Sequence, residues 1–238
     1  GSQFGRGRFA GAARGLARTQ RRVVVKARIV RHRGVRFRSA PLTKHIAYLK
    51  REGVTRDGRD AGMFSAEAEG LSELAAPGVI RIPQVVACGV HSDTAFLATE
   101  WLELGRATRD TEARLGEQLA LLHETTRDRF GWHRDNTIGL TPQHNDWSDD
   151  WVVFLRDQRL GFQLRLAAEN GFSGLLQEQG ARLLKRLPLF FEDHKPRPAL
   201  LHGDLWGGNW GVTAAGEPVI FYPAVYYGAR EADLAMTR

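Results

Sequence analysis

Only one cysteine, Cys88, occurs among the 238 residues. An internal disulfide framework and a cysteine-built zinc site are thereby excluded, and a reducing, cytoplasmic setting is expected. No apolar run approaches the roughly 18 residues that a membrane-spanning helix needs. Lysine is scarce too, with five among 34 basic residues, and the first fifty positions hold no Asp or Glu at all. Residues 1–60 carry 17 basic and 3 acidic side chains, a balance of +14, whereas residues 61–238 carry 17 and 24, a balance of −7. The net charge of +7 therefore describes no single surface, and the two parts are read separately. At 42% hydrophobic and 26% charged residues the chain falls in the globular class, not the collagen-like or wholly disordered ones. Its length suits one domain or two small lobes sharing a cleft.

Within the basic segment, residues 1–40, arginine alternates with Gly, Ala and Val, as in Arg31-His32-Arg33-Gly34-Val35-Arg36-Phe37-Arg38. Three readings stand side by side. Arginine with interleaved aromatics can neutralise phosphates and stack on bases, which makes an arm for nucleic acid. Transit peptides are Arg-rich and acid-poor, although they are also Ser-rich. An acid-free Arg/Gly/Ala/Val tract is equally what GC-rich coding sequence yields out of frame, in which case the segment is not an evolved part of the fold.

From residue 41 the pattern becomes regular. Residues 45–50 predict a short strand, and Phe64, Ala68, Leu71 and Leu74 lie at helical spacing. Two further strands are predicted over 85–90 and 94–102. Strand, helix, strand, strand suggests a small α+β lobe over 41–105. Beyond it, Leu115, Leu119, Leu122 and His123 mark one helix face, Trp151, Phe154, Leu155 and Leu160 a second, and 175–187 a third. The expectation is a mostly helical lobe over 106–238, with polar, Trp-bearing loops at 130–136 and 143–147.

The most informative stretch is Leu200-Leu201-His202-Gly203-Asp204-Leu205-Trp206-Gly207-Gly208-Asn209. An Asp held in a loop can accept a proton from a substrate hydroxyl, while an Asn five residues later can offer its oxygen to Mg²⁺. The H-x-D-x-x-x-x-N pattern of kinase catalytic loops rests on this division of labour. Together with Pro223-Ala224-Val225-Tyr226-Tyr227-Gly228, Arg230-Glu231-Ala232-Asp233-Leu234-Ala235-Met236, Glu100-Trp101-Leu102 and Phe130-Gly131-Trp132 with Asn136, this run resembles the fructosamine kinase (ketosamine-3-kinase) family over roughly residues 45–238. That family is related to the aminoglycoside phosphotransferases.

The resemblance implies a two-lobed, protein-kinase-like α+β fold and transfer of the ATP γ-phosphoryl group to a ketosamine, free or on a glycated protein. It implies Asp204 as catalytic base, Asn209 as magnesium ligand, and Lys50 on the phosphates paired with Glu67, 17 residues on. Glu100 and Leu102 would offer backbone groups to adenine, and Asp233 would buttress the catalytic loop. The ordinary alternatives are a strand-end lysine for Lys50, a solvated helix acid for Glu67, a packing role for His202, and core aromatics for Trp101, Trp132 and Trp147.

Three departures bear on activity. The family reads Phe-Asp-Pro-Ala where this chain has Phe221-Tyr222-Pro223-Ala224, and a neutral phenol does not replace a carboxylate on a hard cation. The glycine-rich nucleotide loop expected near residue 30 is replaced by the arginine tract. Further helices expected beyond the Asp233 motif are missing, so the helical lobe is expected to expose apolar surface. Weak or absent turnover is the resulting expectation. The alternatives are a pseudokinase-like binding protein using residues 1–40 on nucleic acid, and an aminoglycoside-type phosphotransferase.

Overall fold

The computed structural model describes residues 47–53, 59–91 and 94–237, with side chains described for 62–91 and 94–237. The arginine tract and the expected nucleotide loop lie outside the described residues. Strand β1 (Ala47–Gly53), β2 (Val85–His91) and β3 (Thr94–Glu100) form one antiparallel sheet in the order β1-β3-β2. Central β3 alternates strictly, burying Ala95, Leu97 and Thr99, as a strand with one core face does. Helix α1 (Arg59–Ala75) packs on this sheet through Phe64, Leu71 and Leu74.

Helix α2 (Arg109–Leu122) opens the second part with a capping box between Thr108 and Thr111 and buries Leu115, Leu119 and Leu122. The next helical stretch is continuous but changes pitch. α3 (Trp151–Phe154) widens into a π-helical segment (Leu155–Leu160) and returns to α-helix as α4 (Gly161–Glu169). Gly161 fits that join because a Cβ there would lie 2.6 Å from the Arg156 carbonyl oxygen. Helix α5 (Leu175–Arg186) is followed by a 3₁₀ turn (Leu187–Phe191), and α6 (Glu231–Met236) lies near the end of the chain.

The second part is less helical than its sequence suggested. Three two-stranded antiparallel pairs interrupt it: β4 (Asn136–Ile138) with β5 (Thr141–Gln143), β6 (Ala199–Leu201) with β9 (Tyr226–Gly228), and β7 (Trp210–Val212) with β8 (Pro218–Ile220). Each strand has three residues, too few for a period of two to register. The segments expected as polar loops contain the β4–β5 hairpin and its amides. Asn136 Nδ2 donates to the Val225 carbonyl at 2.8 Å and Gln143 Nε2 to that of Ala224 at 2.9 Å.

One continuous core joins α1, the first sheet, α2, β6 and β9. Around α5, by contrast, Phe172, Leu175, Leu176, Leu183, Leu189 and Phe190 are all exposed, and α5 buries no residue.

Candidate active site

The loop between β6 and β7 begins on buried ground. All three β6 residues are buried, and the turn after them is fixed from α6 by one carboxylate. Asp233, fully buried, accepts from the His202 N–H through Oδ2 and from the Gly203 N–H through Oδ1, each at 2.8 Å. The same Oδ2 lies 3.1 Å from His123 Nε2 at the end of α2. The buttress expected of Asp233 is thus a pair of backbone hydrogen bonds.

Gly203 is obligatory here, since its φ is +81° and a Cβ would meet the Ala224 carbonyl oxygen at 2.0 Å. His202 is wholly buried, and burial lowers its pKa despite Asp233 nearby and its bond to the Phe221 carbonyl. Its ring is consistent with the neutral Nε2–H tautomer: Nε2 donates to the Phe221 carbonyl at 3.1 Å while Nδ1 accepts from the Asp204 N–H at 3.3 Å. With both ring nitrogens engaged, His202 shapes the loop.

Asp204 follows, half-buried. Asn209 Nδ2 donates to its backbone carbonyl at 2.7 Å and to its Oδ2 at 2.8 Å, closing the loop across its two candidate functional side chains. Burial pushes the Asp204 carboxyl above its ordinary value; the Asn209 hydrogen bond opposes this and the Asp233 charge adds to it. A raised carboxylate pKa makes a better proton acceptor from a hydroxyl. Trp206, exposed, lies over Gly208, where a Cβ would sit 2.2 Å from the indole.

Beside the loop, reached through Phe221, whose N–H donates to the Asn209 carbonyl at 2.9 Å, is a small cleft of about 20 Å³ lined by Glu67 and Leu71 of α1, Pro83, Leu97 and Thr99, and Phe221 and Tyr222. Tyr222 has φ +62° and is the one non-glycine residue with positive φ among those described. Asp and Asn enter that region several-fold more readily than a bulky aromatic does. The backbone is therefore one that an Asp or Asn takes more readily than the residue that occupies it, a phenol packed edge-on against Phe221 at 5.1 Å.

The remaining expected residues divide. Lys50 pairs in register with Leu97, a cleft residue, and its side chain lies outside the described residues. Glu100 ends β3 with its N–H donating to the Gln84 carbonyl at 2.8 Å and its carboxylate engaged by Arg81 and the Gln84 N–H. Leu102 differs, because its backbone makes no hydrogen bond among the described residues, although Glu103 and Gly105 beside it pair with Ala214 and Val212.

Sequence reasoning missed Arg159, which the π-helical segment carries inward. Its guanidinium stacks 4.1 Å from the Tyr226 ring and 4.6 Å from that of Phe154, and it donates to the His144 carbonyl at 2.5 Å and Asn145 Oδ1 at 2.7 Å. Tyr226 in turn lies 3.3 Å from where a Gly203 Cβ would be. Nothing in the sequence distinguishes this arginine from those on the solvated helix faces.

For magnesium the donor set is thin: Asn209 turns its amide nitrogen to Asp204, which leaves Oδ1 as a carbonyl-type donor, while Tyr222 offers only a neutral phenol oxygen.

The profile of the fructosamine kinases matches residues 54–238. The chain belongs to the fructosamine kinase family. It is 46% identical over 176 residues to a probable ketoamine kinase of Synechocystis, covering 74% of this chain and 59% of that protein. A chloroplastic protein-ribulosamine 3-kinase of Arabidopsis thaliana is 39% identical over 178 residues, covering 74% and 54%. A crystal structure described as a fructosamine-3-kinase, from Haemophilus somnus 129PT, superposes with a TM-score of 0.71 at 29% identity, covering 79% of this chain and 62% of that one. The chain thus spans somewhat over half the length of the family members it matches. Its mixed α+β fold is that of this kinase family. No helix among the described residues is long and apolar enough to cross a membrane.

Proposed function

We propose that this chain carries the acceptor-activating half of a ketosamine 3-kinase site, with phosphoryl transfer from ATP weak or absent. The observation that carries this reading is Asp204, a half-buried carboxylate of raised pKa on a loop fixed by Asp233 and spanned by Asn209. In this reading Asp204 orients the sugar 3-hydroxyl and takes its proton as the oxygen attacks the γ-phosphorus. In the same reading Lys50 and Glu67 serve the phosphates, Glu67 from the cleft wall. Leu102 is the better placed of the two linker residues for adenine, because the Glu100 N–H already has a partner. The acceptor is a fructosamine or ribulosamine, free or on a protein lysine, and the outcome is protein deglycation. The division at residues 40 and 105 belongs to the same reading, as does a cytoplasmic setting.

A magnesium ion would be held from the protein by Asn209 Oδ1 without a carboxylate at position 222, and would supply charge neutralisation on the phosphates. With a phenol at 222 that neutralisation would be weaker, which is the reason for weak turnover. The test is an ATP-dependent phosphorylation assay on a ribulosamine, comparing the chain with Tyr222→Asp. The variant is expected to gain at least about tenfold. Strong turnover by the unmodified chain, with no gain from the carboxylate, would refute this account of Tyr222.

A further inference from the structure

A second cavity, of about 240 Å³, opens where the end of α2, the segment 194–199 and the start of α6 meet. Its charged and titratable lining is His123, His194, Lys195, Arg197, Arg230 and Glu231. Glu231 is the one acid in that wall and is shared between His194 at 3.6 Å and Arg230 at 3.5 Å. Arg197 pairs with Glu124 at 2.8 Å. Lys195 makes no ion pair among the described residues. Three permanent cations therefore line a space flanked by two carboxylates, Glu231 in the wall and Glu124 on Arg197, and Lys195 is the cation left without an ion pair among the described residues. An anion entering this space would meet that uncompensated ammonium beside two guanidinium groups.

The shape and chemistry narrow the class of anion. Guanidinium groups present N–H donors in a fork that matches the oxygens of a tetrahedral oxyanion, and an ammonium adds a point charge. The volume equals that of several waters at roughly 30 Å³ each, enough for phosphate with a small esterified group. The wall also contains a buried element, His123, which is 3% exposed and bonded through Nε2 to Asp233. We propose that this cavity binds a phosphate-type oxyanion, as inorganic phosphate or as a phosphate monoester. The bound anion would touch the histidine whose partner, Asp233, holds the His202 and Gly203 amides of the catalytic loop. This inference does not depend on the chain being an active kinase.

The experiment is thermal unfolding of the full chain titrated with sodium phosphate, and separately with glycerol 3-phosphate, against sodium chloride at matched ionic strength. Phosphate is expected to raise the midpoint saturably, by about 3–6 °C at ten times its dissociation constant. Lys195→Gln, an exposed change that leaves the packing alone, is expected to weaken binding several-fold, and Lys195→Gln with Arg230→Gln to abolish the shift. Asn209→Ala, in the catalytic loop, is expected to retain it. The tighter of the two ligands identifies the source of the anion, and either ranking supports the site. No saturable shift in the unmodified chain overturns the proposal. So does a shift that survives the double substitution, or one lost only in Asn209→Ala, which would place the phosphate in the catalytic cleft.

Discussion

At the catalytic loop, single residues fail or succeed on tenths of an ångström. Gly203 combines a left-handed backbone with a carbonyl 2.0 Å from any Cβ, so Gly203→Ala is expected to cost roughly 3 kcal/mol or more, read as a lowered urea midpoint. Gly207, where a Cβ would meet nothing within 4 Å, is the control, and Gly207→Ala should stay within about 0.5 kcal/mol of the parent. Asp204→Asn keeps the shape and removes the proposed base. In a Tyr222→Asp background it is expected to lower turnover by about 10²–10⁴-fold with the unfolding midpoint unchanged. In that background the acid limb of the rate profile should lie above the ordinary aspartate value, because burial raises the Asp204 pKa. At this scale the sequence was most legible: the spacing of His202, Asp204 and Asn209 announced the loop, and Asp233 its buttress. Arg159 was not legible, because its role arises from a π-helical turn that no residue type marks.

At the scale of elements, α1 is fastened to the second part of the molecule as well as to its own sheet. Gly70 brings the helix within 3.0 Å of the Val225 side chain, measured from a notional Cβ. Glu69 pairs with Arg134 at 2.7 Å and His133 at 3.0 Å, and Glu73 accepts from the Tyr227 hydroxyl at 2.5 Å. Burial and the hydrogen bond to Glu73 push the Tyr227 phenol up to about 12, with Arg127 opposing them. A folded-state pKa above the unfolded value of about 10 means that the folded chain holds the proton more tightly. The associated stability, roughly 2–3 kcal/mol, is complete below pH ~10 and is lost as pH rises towards 12. Urea midpoints measured from pH 9 to 12 should fall accordingly, and the fall should be shallower in Tyr227→Phe. The helices α1 and α2 were readable from apolar spacing because they are long and one-sided. The three-residue strands were not, because their pairing is decided by distant amides such as Asn136 and Gln143.

Across the whole molecule, these fastenings make the first sheet, α1 and the catalytic loop one body with a continuous core. All six tryptophans lie beyond residue 100, whereas β1, α1 and β2 lie before it. A single cooperative transition is therefore expected, with tryptophan fluorescence and far-ultraviolet circular dichroism coinciding. Glu69→Ala combined with Glu73→Ala should separate the two signals, by loosening α1 from the body that contains the tryptophans. The opposing charge balances of residues 1–60 and 61–238 acquire a place in this picture. Every residue given a chemical role lies at Lys50 or later, within or beside the acidic part.

The backbone at Tyr222 has a consequence for the history of this chain. Tyrosine and aspartate codons differ only in their first base, so one nucleotide change would put a carboxylate on a left-handed turn that already favours it. Tyr222→Asp is thus one nucleotide away, and the left-handed backbone at this turn would take the carboxylate more readily than it takes the phenol.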